Sequence, residues 1–228
     1  MIDNVLILVG GYGKRLGSIT KKIPKPLIKF NNKPFLDILI DELIKIKPKK
    51  IILLCSYKKK FFLDRYKNNY KRIPIINIIE KKPLGTGGAV YNAKKYITNK
   101  TLICNGDTFI KFDKLKANHE FTKNSVIKFF ITKNVNYKSN KKLSKLKLDK
   151  NKKIILSKSS IYMNSGTYIV NKKIIKFLKK NYNSLEDEIL PNLINLKYVD
   201  GEFYKAPHFD IGTKKNIAIF KKYLKNRN

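Results

Sequence analysis

Four short apolar runs in the first half of the chain, each bounded by polar or turn residues, constrain the fold most strongly. Runs of this length and composition are typical of strands that are buried on both faces of a parallel sheet. Segments with helical spacing lie between them, over residues 34–47, 58–70 and 85–97. This alternation predicts right-handed βαβ units and therefore a Rossmann-like, doubly wound α/β sheet. The four predicted strands are residues 5–9, 51–55, 75–79 and 102–104.

After Asp107 the alternation loosens, and the pattern predicts a sheet of mixed direction. Helices are predicted from about Lys172, from about Leu185 and after Gly212. The chain shows no internal repeat or low-complexity linker, and its 228 residues can bury one substantial core. We therefore predict a single domain over residues 1–228. The predicted strands of this half are 125–133, 142–149, 152–158 and 163–171.

The formal net charge of +35 would ordinarily suggest a nucleic-acid or anionic-membrane partner. Only four of the 51 basic residues are Arg, however, and the 47 Lys accompany 24 Asn and 32 Ile, residues that share A- and T-rich codons. The lysines are scattered along the chain, as on solvated faces. Arg is the better fork for phosphates and base edges, so the composition argues against a nucleic-acid partner.

Cys55 and Cys104 each end an apolar run, where they resemble small buried hydrophobic residues, and their spacing fits neither a disulfide framework nor a metal site. The N-terminal segment carries Asp3 where a signal peptide needs positive charge, and its apolar run is too short to span a bilayer. We therefore predict a cytoplasmic protein without membrane insertion. A homo-oligomer is compatible with the sequence, which does not determine the oligomeric state.

A glycine-rich segment follows the first predicted strand directly: residues 8–30 read LVGGYGKRLGSITKKIPKPLIKF. Glycine lets backbone N–H groups approach an anion closely. Arg15 offers a rigid fork, and Lys25 offers a second positive charge on a stiff segment, because it lies between Pro24 and Pro26. The pattern therefore indicates a phosphate site, and a turn with solvated lysines is the alternative.

Two other phosphate loops fit this segment less well. The loop of a nicotinamide or flavin enzyme needs a long helix after the glycines, but the two prolines limit any helix here to one or two turns. It also needs an acid at the end of the second strand, and this strand ends Cys55-Ser56-Tyr57. A Walker loop needs Gly-Lys followed by Ser or Thr, which the segment lacks.

Several stretches, in the right order, resemble the signature of the sugar-1-phosphate nucleotidyltransferases, also called NDP-sugar pyrophosphorylases. The resemblance covers nearly the whole chain and implies a fold of the nucleotide-diphospho-sugar transferase type. It implies an enzyme that condenses a nucleoside triphosphate with a sugar 1-phosphate, with a nucleotide half over about 1–107 and a sugar half over about 108–228. The stretches are residues 10–16 (GGYGKRL), 24–27 (PKPL), 83–89 (PLGTGGA), 105–107 (NGD) and 209–213 (FDIGT).

For the phosphates, the resemblance implies that Arg15, Lys25 and Asp107 are catalytic and that Asp107 and Asp210 hold Mg²⁺. Magnesium binds proteins through one or two carboxylates plus substrate phosphates, which fits two acids. An ordinary turn at Asp107 and a helix cap at Asp210 are the alternatives. Lys14 stands where the family usually has Thr or Ser. The predicted nucleotide-binding residues are Gly10, Gly11, Gly13, Lys14, Glu80, Gly85, Thr86 and Gly87.

Glu80 stands where relatives that use uridine or thymidine commonly carry Gln. Its carboxylate can accept two hydrogen bonds from guanine N1–H and N2–H, which favours GTP. For the sugar, Asn164 and Gly166 match an Asn-x-Gly segment that contacts sugar hydroxyls. Lys158 stands at a sugar-phosphate position, although Ser157 replaces the usual preceding Glu.

Two further features keep alternative roles. The segment 184–187 (SLED) matches a family segment and equally a helix capping box. His208 is either a supporting contact for Asp210 or a solvated loop residue.

Within the family, the stretches LGTGGA, NGDTF and FDIGT are most similar to the heptose 1-phosphate guanylyltransferases. This similarity implies GTP and D-glycero-α-D-manno-heptose 1-phosphate as substrates, for lipopolysaccharide or capsule biosynthesis. A mannose-1-phosphate guanylyltransferase and a uridylyl- or thymidylyltransferase for another sugar 1-phosphate are the near alternatives. A nucleic-acid-binding protein is the remote one.

Overall fold

The structure is a computed structural model that describes residues 2–112, 120–133, 143, 145–157 and 159–226. The strands there are β1 (Asn4–Leu8), β2 (Lys29–Phe30), β3 (Lys33–Pro34), β4 (Lys50–Cys55), β5 (Asn69–Tyr70), β6 (Ile73–Ile79), β7 (Thr101–Asn105), β8 (Thr108–Ile110), β9 (Ile127–Lys133), β10 (Leu146–Leu148), β11 (Ile154–Leu156), β12 (Tyr162–Val170), β13 (Val199–Tyr204) and β14 (His208–Asp210). The α-helices are α1 (Ser18–Lys22), α2 (Phe35–Ile44), α3 (Lys59–Arg65), α4 (Gly85–Asn92), α5 (Leu190–Asn195) and α6 (Lys214–Lys225).

Ten of the described strands form one mixed sheet, in which β7, β1, β4 and β6 are parallel neighbours. These are the four strands predicted from the apolar runs. The chain adds β4 and β6 on one side of β1 and β7 on the other, so a crevice opens at the carboxyl ends of β1 and β7. The doubly wound prediction is confirmed.

Both faces of the sheet are covered, because successive side chains of β1 enter two different cores. Val5 and Ile7 pack into a cluster with α2 and with Phe220 of α6. Leu6 packs into a second cluster with Val90 of α4 and Leu190 of α5. All of these side chains are buried, which explains why the run is apolar throughout rather than alternating.

The second half joins the parallel strands through β12, which runs antiparallel to β7. Strand β9 pairs antiparallel with β12 and parallel with β13. The mixed direction predicted for this half is therefore correct. The sequence patterns did not predict β13, which contains Gly201 and Glu202, nor β14, which is too short to show a period.

Some predicted boundaries were wrong for local reasons. Helix α3 ends at Arg65 because residues 69–70 turn back onto β6, with Lys71 and Arg72 at positive φ. The helix predicted from Lys172 is a 3-10 helix, Lys172–Phe177, and the one predicted from Leu185 begins as a π-helix, Leu185–Ile189, before α5. Cys55 and Cys104 are free and buried, as predicted. None of the helices in the described ranges is long and apolar enough to cross a membrane.

Candidate active site

A cavity of about 610 Å³ opens at the carboxyl ends of β1, β4 and β7. The loop after β1, the residues after β7 and the start of α4 all contribute to its wall, as expected for the ligand site of an open α/β sheet. The predicted site residues that line it are Gly10, Gly11, Arg15, Lys25, Glu80, Gly85, Thr86, Asp107, Asn164, Gly166 and Asp210. The structure does not bring Gly13, Lys14 or Gly87 to that wall, and Lys158 falls outside the described residues.

The glycine loop is shaped by two residues in the left-handed region, Gly13 with φ of 64° and Gly17 with φ of 54°. The hydroxyl of Thr20 lies 3.1 Å and 3.2 Å from their carbonyl oxygens. A Cβ at Gly13 would lie 2.7 Å from Thr20 Cγ2, whereas a Cβ at Gly11 would have no atom within 4 Å. Gly13 is therefore required by the turn, and Gly11 leaves open space on the cavity wall.

Lys25 and Asp107 form an ion pair on the cavity wall, with side chains that are 13% and 21% exposed. Lys25 opens the 3-10 turn Lys25–Leu27 directly after Pro24. Burial by itself raises the pKa of Asp107, but the Lys25 ammonium, the Thr108 hydroxyl and Arg15 outweigh it, so the net pKa is lowered. Asp107 is therefore held as an anion in a site rich in positive charge.

Asp210 is brought next to Asp107 by β14, which pairs with β8 so that Asp210 lies opposite Thr108. Its Oδ1 accepts from the Gly212 N–H at 2.5 Å, and its Oδ2 accepts from the Asn216 amide at 3.3 Å. Within the described ranges, no three His, Cys, Asp or Glu side chains are grouped to hold a metal ion. Two carboxylate groups nevertheless fit Mg²⁺, which takes one or two from a protein and fills its shell with phosphate oxygens and water.

His208 begins the same strand, and its Nε2 lies 3.1 Å from the Ser165 carbonyl oxygen. Burial lowers the pKa of His208, although this carbonyl and the Asp210 and Asp107 carboxylates oppose the shift. A carbonyl oxygen can only accept, so Nε2 carries the proton of the neutral ring. The position of His208 in the cavity wall favours a supporting contact over a solvated loop residue.

Glu80 follows β6 and is 7% exposed. Its Oε2 accepts from the Leu84 N–H at 3.3 Å. Burial raises the pKa of Glu80, because the Ser56 hydroxyl and the Leu84 N–H, which both favour the charged form, offset the lost hydration only in part. The cavity therefore holds two acids with opposite pKa shifts.

The glycines at the start of α4 accommodate another part of the chain. A Cβ at Gly85 would lie 2.3 Å from the Asn183 carbonyl oxygen, and a Cβ at Gly87 would lie 1.9 Å from Asn183 Oδ1. The Gly87 N–H donates to the same carbonyl at 3.0 Å. Thr86, between them, donates to Glu186 at 2.6 Å and accepts from the Leu185 N–H at 2.8 Å. This turn is therefore fixed against the segment that precedes α5.

The Asn-x-Gly segment lies at an irregularity in the pairing of β12 with β9. Gly166 has φ of 73°, and a Cβ there would lie 2.5 Å from the side-chain nitrogen of Asn105. Asn164 Oδ1 accepts from the Gly166 N–H at 2.9 Å, and Asn164 Nδ2 donates to the Tyr168 hydroxyl at 2.6 Å. The amide of Asn164 is thereby held in one orientation on the wall.

A profile of the family described as Nucleotidyl transferase matches residues 4–226 of this chain. The chain belongs to the nucleotidyl transferase family. The matched range includes both halves of the sheet, so every residue described above as lining the cavity lies within it.

The relatives of this nucleotidyl transferase include two heptose 1-phosphate guanylyltransferases. It is 30% identical over 229 residues to the D-glycero-alpha-D-manno-heptose 1-phosphate guanylyltransferase of Aneurinibacillus thermoaerophilus, covering 97% of this chain and 98% of that protein. It is 45% identical over 115 residues to the protein of the same name from Campylobacter jejuni, covering 50% of this chain and 52% of that protein. It is also similar to the crystal structure of HddC from Yersinia pseudotuberculosis complexed with GMP-PN, with a TM-score of 0.78 and 31% identity, covering 98% of this chain and 100% of that chain.

Several wall residues of this nucleotidyl transferase were missed as site candidates, among them Tyr12, Ser56, Ser165 and Glu186. Glu186 is the most informative, because its segment was weighed as a capping box. Ser184 does accept from the Asp187 N–H at 3.1 Å, so the capping interpretation is correct. The family match of the same segment was the signal that could have drawn Glu186 into the site.

Proposed function

We propose that this nucleotidyl transferase converts GTP and D-glycero-α-D-manno-heptose 1-phosphate into GDP-heptose and pyrophosphate. The observation that carries the proposal is one cavity in which a glycine loop, the Lys25–Asp107 pair and the buried Glu80 meet. The names of the two relatives support the choice of nucleotide and sugar.

The reaction joins two anions. An oxygen of the sugar 1-phosphate bonds to the α-phosphorus, while the bond from that phosphorus to the bridging oxygen breaks and its electron pair leaves with pyrophosphate. The attacking oxygen is already anionic, so no base has to remove a proton from it. Catalysis therefore rests on positioning and charge neutralisation, for which Arg15 offers a fork to the leaving pyrophosphate and Lys25 a charge at the reacting phosphates.

Mg²⁺ belongs to this proposal, with Asp107 and Asp210 as its protein ligands. When bound, it neutralises charge on the phosphates and orients them. Asp107, in the turn directly before β8, and Asp210, in the paired strand β14, would supply carboxylate oxygens, and the backbone of Gly212 and the amide of Asn216 fix the Asp210 carboxylate.

The remaining wall residues provide the proposed contacts to the base of the nucleotide and to the sugar. Ionised Glu80 accepts hydrogen bonds from guanine N1–H and N2–H, whereas it offers no donor to the O4 of a pyrimidine. Asn164 and the backbone of Gly166 contact sugar hydroxyls. The nucleotide half thus lies over about 1–107 and the sugar half over about 108–228, with Asp210 returning to the phosphates.

We place the reaction in the cytoplasm, which agrees with two buried free thiols, Cys55 and Cys104. The product serves a surface glycan such as lipopolysaccharide or capsule. A homo-oligomer stays a prediction, which light scattering during gel filtration tests.

Pyrophosphate release tests the proposal, measured with Mg²⁺ for each of four nucleoside triphosphates against heptose, mannose and glucose 1-phosphates. Release with GTP plus the heptose phosphate is expected. Preference for mannose 1-phosphate would make the chain a mannose-1-phosphate guanylyltransferase, and preference for UTP or dTTP would overturn the role of Glu80. Silence with a folded protein would overturn the reaction, and salt-sensitive retention of DNA or RNA would then support the nucleic-acid alternative.

A further inference from the structure

Ser165 carries a hydroxyl group that has no hydrogen-bond partner among the described residues, although the residue is only 1% exposed and lines the cavity. A buried hydroxyl without a partner lowers stability, because folding removes its hydrogen bonds to water and replaces them with none. Such groups are few in native proteins, and one on the wall of a ligand cavity can receive its partner from the ligand. Ser165 is therefore a candidate for a contact that a bound substrate completes.

Polar groups on both sides of this hydroxyl already have partners within the protein. The Ser165 carbonyl oxygen accepts from His208 Nε2 at 3.1 Å. The Gly166 N–H donates to Asn164 Oδ1 at 2.9 Å, and Asn164 Nδ2 donates to the Tyr168 hydroxyl at 2.6 Å. The backbone and the flanking amide are thus fixed before any ligand binds, whereas the Ser165 hydroxyl stays unsatisfied by the described part of the chain.

Ser165 lies between the two segments that carry the proposed Mg²⁺ ligands, Asp107 and Asp210. Its carbonyl oxygen contacts the first residue of β14, the strand that ends at Asp210. The next residue, Gly166, packs against Asn105, because an added Cβ would lie 2.5 Å from the Asn105 side-chain nitrogen. Asn105 is the last residue of β7, two positions before Asp107. Ser165 therefore lies where the proposed sugar subsite borders the proposed phosphate subsite.

We propose that the Ser165 hydroxyl binds the phosphate group of the sugar 1-phosphate. The inference rests on the proposed function, which puts sugar hydroxyls at Asn164 and the reacting phosphates at Asp107. The phosphate group is attached to C1 of the sugar, so it lies at the border between these two subsites. Its oxygens are strong acceptors, so the hydroxyl donates, in a hydrogen bond strengthened by the phosphate charge. This contact orients the phosphate whose oxygen attacks the α-phosphorus.

Calorimetry tests the contact without turnover. Heptose 1-phosphate is titrated into protein whose nucleotide site is filled with an α,β-methylene analogue of GTP, in which carbon replaces the bridging oxygen of the bond that would break. Ser165→Ala should weaken binding of the sugar 1-phosphate by about 10- to 100-fold, the size expected for one hydrogen bond to a charged group. The Kd of the analogue alone should stay that of the wild type, because the hydroxyl does not contact the nucleotide.

Ser125→Ala is the matched control, because it removes a hydroxyl that is also buried but has a partner and lies outside the cavity wall. Ser125 Oγ donates to Asp200 Oδ1 at 2.6 Å. Its loss should lower the Tm and leave binding of the sugar 1-phosphate unchanged. Ser165→Ala should do the reverse, with weaker binding and an unchanged or higher Tm without ligand, because the hydroxyl it removes is unsatisfied. A lower Tm with unchanged binding in Ser165→Ala would assign Ser165 a structural role and overturn the inference.

A second ligand separates a contact with the phosphate from a contact with a sugar hydroxyl. Inorganic phosphate competes with heptose 1-phosphate for the analogue-filled protein, and Ser165→Ala should weaken both by a similar factor. Weaker binding of heptose 1-phosphate with unchanged competition by inorganic phosphate would place the hydroxyl against the sugar and contradict the proposal. A wild type that binds heptose 1-phosphate through Ser165 but releases no pyrophosphate from GTP would overturn the proposed function and leave this inference standing.

Discussion

Two carboxyl groups on the cavity wall, those of Asp107 and Glu80, have pKa values shifted in opposite directions. At the phosphate end, burial would raise the pKa of Asp107, but the Lys25 ammonium reverses the shift. At the proposed base end, burial of Glu80 outweighs the Ser56 hydroxyl and the Leu84 N–H, and its pKa stays raised. The difference lies in the neighbouring groups: one cavity holds a carboxylate that a cation keeps ionised and, elsewhere on its wall, an acid whose ionised form has too few donors to offset its burial.

The largest effect is expected from Asp107→Asn, which removes the permanent anion. We expect kcat to fall by about 10³-fold, as for loss of a preorganised electrostatic group, with pyrophosphate release at saturating substrates as the measurement. The Tm should also fall, because the amide no longer balances Lys25. Asp64→Asn, at an exposed position of α3, is the control for the same chemical change. A loss below tenfold would remove Asp107 from the reaction.

Glu80→Gln is the counterpart at the base end, with a smaller effect on turnover and the opposite effect on stability. We expect kcat/KM for GTP to fall about 10- to 100-fold, because the amide offers one acceptor and one donor where guanine presents two donors. The Tm at pH 7 should rise, since a raised pKa means that stability is lost as the pH rises and Glu80 ionises. If both acid-to-amide changes moved the Tm in the same direction, the comparison would fail.

The sequence could predict which residues meet at the proposed phosphate end, because the signals for them are local. Four apolar runs predict parallel strands, and Lys25 and Asp107 follow from their positions next to prolines and after a strand. The nearness of Asp210 to Asp107 needed the family resemblance, because it depends on the pairing of β14 with β8. Strands of three residues are too short to show a period.

Other parts of the site depend on packing between distant segments. The glycines of α4 predict that another segment of the chain packs closely against the start of this helix. They do not identify that segment. In the structure Asn183 occupies the space beside Gly85 and Gly87. Glu186 could be interpreted as part of a helix start, and only the fold shows that its side chain meets Thr86.

A pair of glycine variants sharpens the comparison within the loop itself. Gly13→Ala should lower stability by about 1–2 kcal/mol, because the residue has positive φ and a Cβ would meet Thr20. Gly11→Ala should leave the Tm unchanged and raise the KM for GTP about 10-fold, because its Cβ occupies open space on the cavity wall. Thermal unfolding and steady-state kinetics on both proteins make the test. An unchanged KM for GTP in Gly11→Ala would show that the open space at Gly11 is not reserved for a ligand, and equal losses of Tm in both variants would show that Gly11 is constrained like Gly13.

The smallest expected effect is a pH dependence of GTP recognition. The pKa of Glu80 is raised, so lowering the pH from about 7 towards 5 protonates it before an ordinary carboxyl group and removes an acceptor for guanine. Affinity for GTP should fall a few-fold over this range, while Asp107 stays ionised because its pKa is lowered. The phosphates of GTP also titrate there, so the measured quantity is the ratio of the Kd values of wild type and Glu80→Gln at each pH. That ratio should rise as the pH falls, and a ratio independent of pH would mean that Glu80 does not accept from the base in its ionised form.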